Sequence, residues 1–356
     1  MVNKKMKDKI ARMKKYPFVS ICTPTFNRRP FISSMIECFK HQDYPKDRLE
    51  WIIVDDGTDK IEDLVKDIPE VKYFKYDNKM ILGEKRNLMH EKSKGAIIVY
   101  MDDDDYYPPQ RVSHAVETLI NNPRALCAGS SELYIYFNHI NKMFQFGPYG
   151  PNHATAGTFA FKRDLLKNHK YENNAALAEE KAFLKDYTVP FVQLNPLKTI
   201  LVFSHEHNTY DKRKLLIDIS NNPYVKESDK TVEMFISNNK LKDFYMKKLD
   251  YLLKDYEPGR PSMKPDVLKQ TIEIEEARRK EIESRMSVGI SIRDKDGNIK
   301  VLTTLEVTEM LQKQQQTIID LINRLKGADM EIERLQSTIK IMKDSQTISS
   351  MSSMNN

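Results

Sequence analysis

With 356 residues, 40% hydrophobic and 30% charged, the chain is long enough for one large domain or two ordinary ones. Its 57 basic against 51 acidic side chains leave a net charge of only +6, which suits a phosphate-bearing ligand and gives no reason to expect nucleic acid. The longest apolar runs are about five residues, far short of the roughly 20 of a membrane span, so no transmembrane segment is expected and any membrane contact is peripheral.

Residues 1–15 read as a basic, frayed tail with no apolar leader behind it. Cys22, Cys38 and Cys127 form no CxxC pair and lie in or beside apolar runs, so they read as small core residues of a cytoplasmic protein. Residues 18–23 have the composition of a strand, stopped at Pro24 and followed by a polar turn over 25–30. Phe31, Ile32, Met35, Ile36 and Phe39 then recur at helical spacing. A second strand, 51–54, runs into Asp55-Asp56-Gly57-Thr58. A helix over 60–66, a strand over 71–76 and a helix opened by Gly83 follow. The apolar run 97–101 then ends in four consecutive carboxylates, Asp102, Asp103, Asp104 and Asp105. Adjacent carboxylates repel one another unless a cation or solvent relieves them. A hard divalent ion is the economical explanation, and a solvated acidic loop is the bland one.

This alternation is βαβαβαβ with short connections, which predicts a doubly wound, mostly parallel α/β sheet. Its strand ends would gather along one edge and bring Thr25, Asp56, Arg86 and Asp104 to one cleft.

The blocks at 19–28, 52–58, 82–87 and 101–105 with Pro109 resemble glycosyltransferase family 2, in that family's order and spacing, across roughly residues 17–210. The resemblance implies a GT-A fold and a metal-dependent, inverting transfer of a sugar from a nucleotide diphosphate donor, UDP being the commonest, with Mn²⁺ or Mg²⁺ as cofactor. It implies Asp104 as the metal carboxylate, Asp102 in support of metal or diphosphate, and Asp103 toward the ribose. Asp105 is left to cap the helix near Pro109. It implies Asp56 for the base, Arg86 for base or phosphate, and Thr23, Pro24, Thr25 and Arg28 around the nucleotide. Lys85 reads as solvent-facing. The family's acidic pair falls on Glu179-Glu180, with Glu180 as catalytic base and Glu179 supporting it, or Glu179 itself as the base, where the family usually has Asp. An acidic first helical turn is the alternative reading. After a strand at 199–204, His207 is the expected last metal ligand, with His205 as alternate.

Residues 125–137 read as a strand or strand pair, and 155–161 as a strand whose small Ala-Gly-Thr portion lets an acceptor approach the backbone. Residues 211–286 read as a helical extension with a Pro-punctuated linker, 287–303 as a small β-hairpin and 345–356 as a disordered tail. Between them Leu311, Ile318, Leu325, Ile332 and Ile339 fall seven apart, which predicts a coiled coil over 304–344 and a homo-oligomer. The acceptor stays open among glycan, lipid-linked saccharide and protein. The competing functions are a nucleotidyltransferase, disfavoured by the lack of a Gly-rich phosphate loop, and a non-catalytic coiled-coil scaffold.

Overall fold

Alternation along three central strands sorts the core into two layers. In a computed structural model of the chain, Val19, Ile21, Trp51, Ile53, Ile97 and Val99 pack into one apolar cluster, while Cys22, Ile52, Val54, Ile98 and Tyr100 pack into another. Successive strand residues face opposite ways, so strands this apolar throughout must be covered on both sides. The first layer takes Phe31, Ile32 and Met35 from one helix and Val112, Val116 and Leu119 from another; the second takes Met89, Phe161 and Phe183.

The structure describes residues 4–177, 179–217, 219, 222–287, 291–293, 299–302 and 304–352. It divides into two units, Met1–Glu273 and Ile274–Asn356. The chain order is α1 (Lys4–Lys15), β1 (Val19–Thr25), α2 (Arg29–Lys40), β2 (Leu49–Asp55), α3 (Glu62–Val65), β3 (Val71–Lys75), α4 (Leu82–Lys92), β4 (Ile97–Tyr100) and α5 (Arg111–Asn121). It continues with β5 (Cys127–Gly129), β6 (Leu133–Phe137), β7 (Lys142–Phe146), β8 (Ala160–Lys162), α6 (Glu180–Phe183), β9 (Phe191–Gln193), β10 (Val202–Ser204) and β11 (Val225–Glu227). Then come α7 (Asn239–Asp243), a π-helical turn Phe244–Lys248, α8 (Leu249–Lys254) and α9 (Pro265–Ser287).

The main sheet has the order β3-β2-β1-β4-β8-β5-β9. The first four strands are parallel and β5 pairs parallel with β9, while β8 runs antiparallel to both β4 and β5, so the sheet is mostly parallel with one reversed strand. A second sheet, β10-β6-β7-β11, takes β6, so residues 125–137 are split between two sheets.

Several elements depart from expectation. The tail at 4–15 is helical, and Arg12 makes a two-pronged pair with Asp47 at 2.9 Å. Strand β1 does not stop at Pro24 but pairs with β2 as far as Thr25. A proline is tolerated there because the β4 ladder ends at Cys22, leaving the following residues paired on one side only. Residues 156–158 form a 3₁₀ turn, not a strand. The 211–260 stretch contains β11 and 3₁₀ turns as well as helices.

In the second unit, β12 (Ser291–Arg293) pairs antiparallel with β13 (Ile299–Val301), and the expected turn at 294–298 lies outside the described residues. Helix α10 runs Thr304–Ser352, so most of the tail expected to be disordered is helical. Its last expected residues, 353–356, lie outside the described ones.

Candidate active site at the reversal of strand order

The chain leaves β1 toward β2 and β3 and returns on the opposite side as β4. Open α/β sheets bind ligands beyond the strand carboxyl ends at such a reversal. A cleft of about 670 Å³, open to solvent, lies there. Pro24, Thr25 and Arg28 line it from β1 and the turn after it, and Asp102, Asp103 and Asp104 line it from the end of β4. Lys85 and Arg86 reach it from α4.

The four carboxylates have separate surroundings. Asp104 Oδ2 lies 3.3 Å from Arg28 Nη2 and 3.4 Å from His205 Nε2. Burial alone would raise its pKa, but Arg28 and His205 hold it well below the usual carboxylate range. Asp103 Oδ1 lies 3.5 Å from Arg28 Nε, its other oxygen is buried without a partner, and burial pushes its pKa up. Burial also raises Asp102, whose Oδ1 lies 3.9 Å from Arg86 Nη2. Its backbone N–H donates to Tyr107 Oη at 2.7 Å. Gly157 makes room for this carboxylate, since a Cβ at that position would meet Asp102 Oδ2 at 2.9 Å. Asp105 does not cap α5. It accepts the Phe203 N–H at 3.4 Å, and its carbonyl accepts the Tyr245 hydroxyl at 2.9 Å.

Lys85 is buried, contrary to its reading as solvent-facing. Its ammonium pairs with Asp56 and donates to the Thr25 carbonyl at 3.1 Å. Asp56 also accepts the Met80 N–H at 2.5 Å. A base edge would therefore meet an Asp56 already engaged through both oxygens. Thr23 lies beneath the cleft rather than in its lining: its hydroxyl donates to Met101 O at 2.7 Å and accepts from Trp51 Nε1 at 2.9 Å.

Arg86 is buried over the Tyr100 ring, 4.5 Å from its centroid, and its Nε donates to Glu179 Oε1 at 2.9 Å. Burial opposes its charge, yet Glu179 and Asp102 raise its pKa well above the ordinary value. Glu180 opens α6 and carries a raised pKa, from burial first and the Glu179 charge second. Neither glutamate lines the cleft itself; Ala176 does, and Glu179 reaches it through Arg86.

The two histidines part company. His205 sets its imidazole against Asp104, and burial lowers its pKa to about 3, so the ring is neutral. His207 instead stacks on Tyr256, with ring centroids 6.1 Å apart, and lends its carbonyl to Arg28. Alternation predicted one direction for both, but the chain turns here, with Asn208 N–H donating to His205 O at 3.1 Å. Of the two, His205 is the one beside Asp104.

Among the lining residues that escaped sequence reasoning are the polar ones Lys79, Thr209, Lys264 and Asp266. Lys79 Nζ pairs with Asp266 Oδ2 at 2.6 Å, and Lys264 Nζ donates to Thr209 Oγ1 at 3.1 Å. The one signal pointing to them was the triplet of prolines at 258, 261 and 265, read only as a linker. Among the described residues, no three histidine, cysteine or acidic side chains converge closely enough to hold a metal by themselves. Nor is any described helix long and apolar enough to cross a membrane.

Residues 20–175 match the family model of Glycosyl transferase family 2. Glycosyltransferase AglE of Haloferax volcanii is 32% identical over 124 residues, 33% of this chain and 40% of that protein. Poly(ribitol-phosphate) beta-N-acetylglucosaminyltransferase TarS of Staphylococcus aureus is 28% identical over 109 residues, 27% of this chain and 18% of TarS. The matches thus span less than half the length of either relative. Among solved structures, mannosyltransferase PcManGT from Pyrobaculum calidifontis in complex with GDP-Man and Mn2+ aligns at a TM-score of 0.43 and 18% identity, covering 52% of this chain and 56% of that one. Over residues 20–175, under half of its length, the chain is similar to Glycosyl transferase family 2.

Proposed function

We propose that the chain is an inverting glycosyltransferase of GT-A type that moves a sugar from a nucleotide diphosphate donor, UDP-linked in the first instance, to an acceptor hydroxyl. The observation that carries this reading is the division of labour within one acidic run. Asp104 is held ionised beside Arg28 and His205, while Asp102 and Asp103 keep buried oxygens without partners. Buried polar groups are normally satisfied, so unpaired oxygens facing a cleft are suited to a ligand. A divalent cation is commonly held by one or two carboxylates together with substrate phosphates, so the lack of an all-protein cage fits such an ion. The residues that would hold Mn²⁺ or Mg²⁺ are Asp104 and His205, with Asp102 in support; once bound, the ion neutralises charge on the leaving diphosphate.

In this reading Asp103 faces the ribose, and Pro24, Thr25 and Arg28 border the nucleotide. Asp56 reaches the base through its bond to Lys85 or after exchanging it, and Arg86 lies against the donor while fixing Glu179. Glu180 removes the acceptor proton. A raised carboxylate pKa suits a base working near neutrality, and Glu179, bound to Arg86, is the supporting group. Direct displacement needs that proton removed as the acceptor oxygen attacks opposite the diphosphate.

The test is donor turnover with Mn²⁺. Release of nucleoside diphosphate, abolished at least 100-fold by Glu180→Gln with donor binding near normal, supports the reading. Silence across UDP-, GDP- and TDP-sugars would favour the scaffold alternative.

We further infer that α10 pairs with a second copy as a coiled coil. Leu311, Ile318, Leu325 and Ile332 recur at seven-residue spacing, and each is more than half exposed. An apolar stripe of that period is buried by a partner helix. A chain ending near residue 300 should sediment as a smaller species and still bind donor; unchanged mass removes the inference.

A further inference from the structure

The cleft's cations are nearly all matched to carboxylates. Arg28 faces Asp103 and Asp104, Lys79 pairs with Asp266, Lys85 with Asp56, and Arg86 with Glu179. Lys264 differs. It is only 6% exposed, lines the cleft, and among the described residues has no carboxylate within ion-pair distance; its ammonium donates to the Thr209 hydroxyl at 3.1 Å. A buried ammonium that makes no direct ion pair is costly and suits an anion brought beside it.

Its position is fixed from both rims. Upstream, the Tyr256 hydroxyl donates to Asp59 Oδ2 at 2.8 Å and Asn27 Nδ2 donates to the Pro258 carbonyl at 2.8 Å. Downstream, Gln270 Oε1 accepts the Ala176 N–H at 2.8 Å. Pro261 and Pro265 bracket the lysine and restrict its backbone. Residues 256–270 are thus a strap laid across the cleft, and they lie wholly outside the segment matched to the family.

We propose that Lys264 is a diphosphate-binding residue, carried by this strap, whose ammonium donates to the phosphate oxygens of the donor and of the nucleoside diphosphate that leaves. The inference rests on the donor reading above and adds to it a residue outside the matched segment. Lys264 makes and breaks no covalent bond; it adds a positive charge where the leaving group gathers negative charge. Burial and Arg28 press its pKa down against the opposing pull of Asp104 and Asp103, and a further anion in the cleft would favour its charged form. The glycosyltransferase site is then incomplete in the matched segment alone.

The test is titration calorimetry of the full chain with UDP, UMP, GDP and GMP in the presence of Mn²⁺. Lys264→Gln should weaken the diphosphates at least tenfold and narrow the ratio of diphosphate to monophosphate affinity, while Lys264→Arg retains most of that ratio. A lysine that merely braced the strap would weaken both nucleotides alike. Melting curves establish that each variant is folded, and Lys264→Met, which keeps the stem's packing, takes the place of the glutamine variant if that one does not fold. An unchanged ratio in a folded neutral variant overturns the role of Lys264 and leaves the donor reading standing. Wild-type protein that binds none of the four nucleotides, nor TDP or TMP, overturns the donor reading and the lysine assignment together.

Discussion

Arg86 Nε and Glu179 Oε1 meet at 2.9 Å across 93 residues of chain, and both side chains are buried. The bond ties α4 to the start of α6, and so ties the α4 side of the cleft to the glutamate pair. Removing one member of a buried pair leaves the other charge uncompensated. Arg86→Met should therefore cost about 3–5 kcal/mol of stability in denaturant unfolding. Arg86→Met with Glu179→Gln should recover part of that loss; strict additivity of the two variants would exclude the coupling.

As the proposed base, Glu180 should give turnover a pH signature. Its pKa is raised, so the fraction ionised grows with pH above the ordinary carboxylate range. The acidic limb of kcat should accordingly lie above pH 4.5 and move when Glu179→Gln removes the neighbouring charge, toward lower pH. A limb that stays in place would detach Glu180 from the rate.

Asn27 holds a left-handed backbone at φ 53°. Its Oδ1 accepts the Asp59 N–H at 2.9 Å and the Thr58 hydroxyl at 3.2 Å, and its Nδ2 reaches Pro258 O. Asn27→Ala loses these bonds and keeps an unfavourable backbone, at a cost of about 3 kcal/mol. Asn27→Gly relieves the backbone and should recover roughly 1 kcal/mol of it. Equal melting of the two variants would show that the backbone carries none of the cost.

Gly157→Ala places a methyl 2.9 Å from Asp102 Oδ2, so either the turn or the carboxylate must move. Turnover should fall about 10- to 100-fold with little change in melting, because small displacements at a reacting centre are expensive. Full activity would remove Asp102 from the site.

His90 supplies an acid-sensitive contact in the core. Its Nε2 lies 2.6 Å from Tyr100 Oη, and burial, with Arg86 and Arg163 nearby, lowers its pKa from 6.5 to about 3. Between those values the unfolded chain binds a proton that the folded chain does not, so stability falls as pH drops below about 6.5. His90→Gln should melt lower at pH 7 yet lose less between pH 6.5 and 4. A parallel loss in both proteins would assign the acid sensitivity to other groups.

The parts legible in the sequence were those in which a strand runs straight into its ligand-facing residues. Apolar runs ending at Thr25, Asp56 and Asp102 announced both the strands and the edge they share. Other parts depend on how chain segments meet. Lys85 and Arg86 are neighbours on a helix and would ordinarily face different surroundings. Both are buried because distant segments meet them, Asp56 and the Thr25 carbonyl at Lys85, and Tyr100 and Glu179 at Arg86. The strap was illegible because single residues between prolines make its contacts, with no period to betray them. The choice between His205 and His207 turned on one reverse turn that extended-strand alternation does not foresee.

The unequal pairing of β1 has a consequence for the cleft's depth. Strand β1 pairs with β2 over Val19–Thr25 but with β4 only over Val19–Cys22. The three further residues of β1 project about 10 Å beyond the end of that ladder. The aspartates after β4 therefore stand at the foot of a ledge whose height is set by strand length. Surrounding loops can lengthen, shorten or change partners without moving that floor.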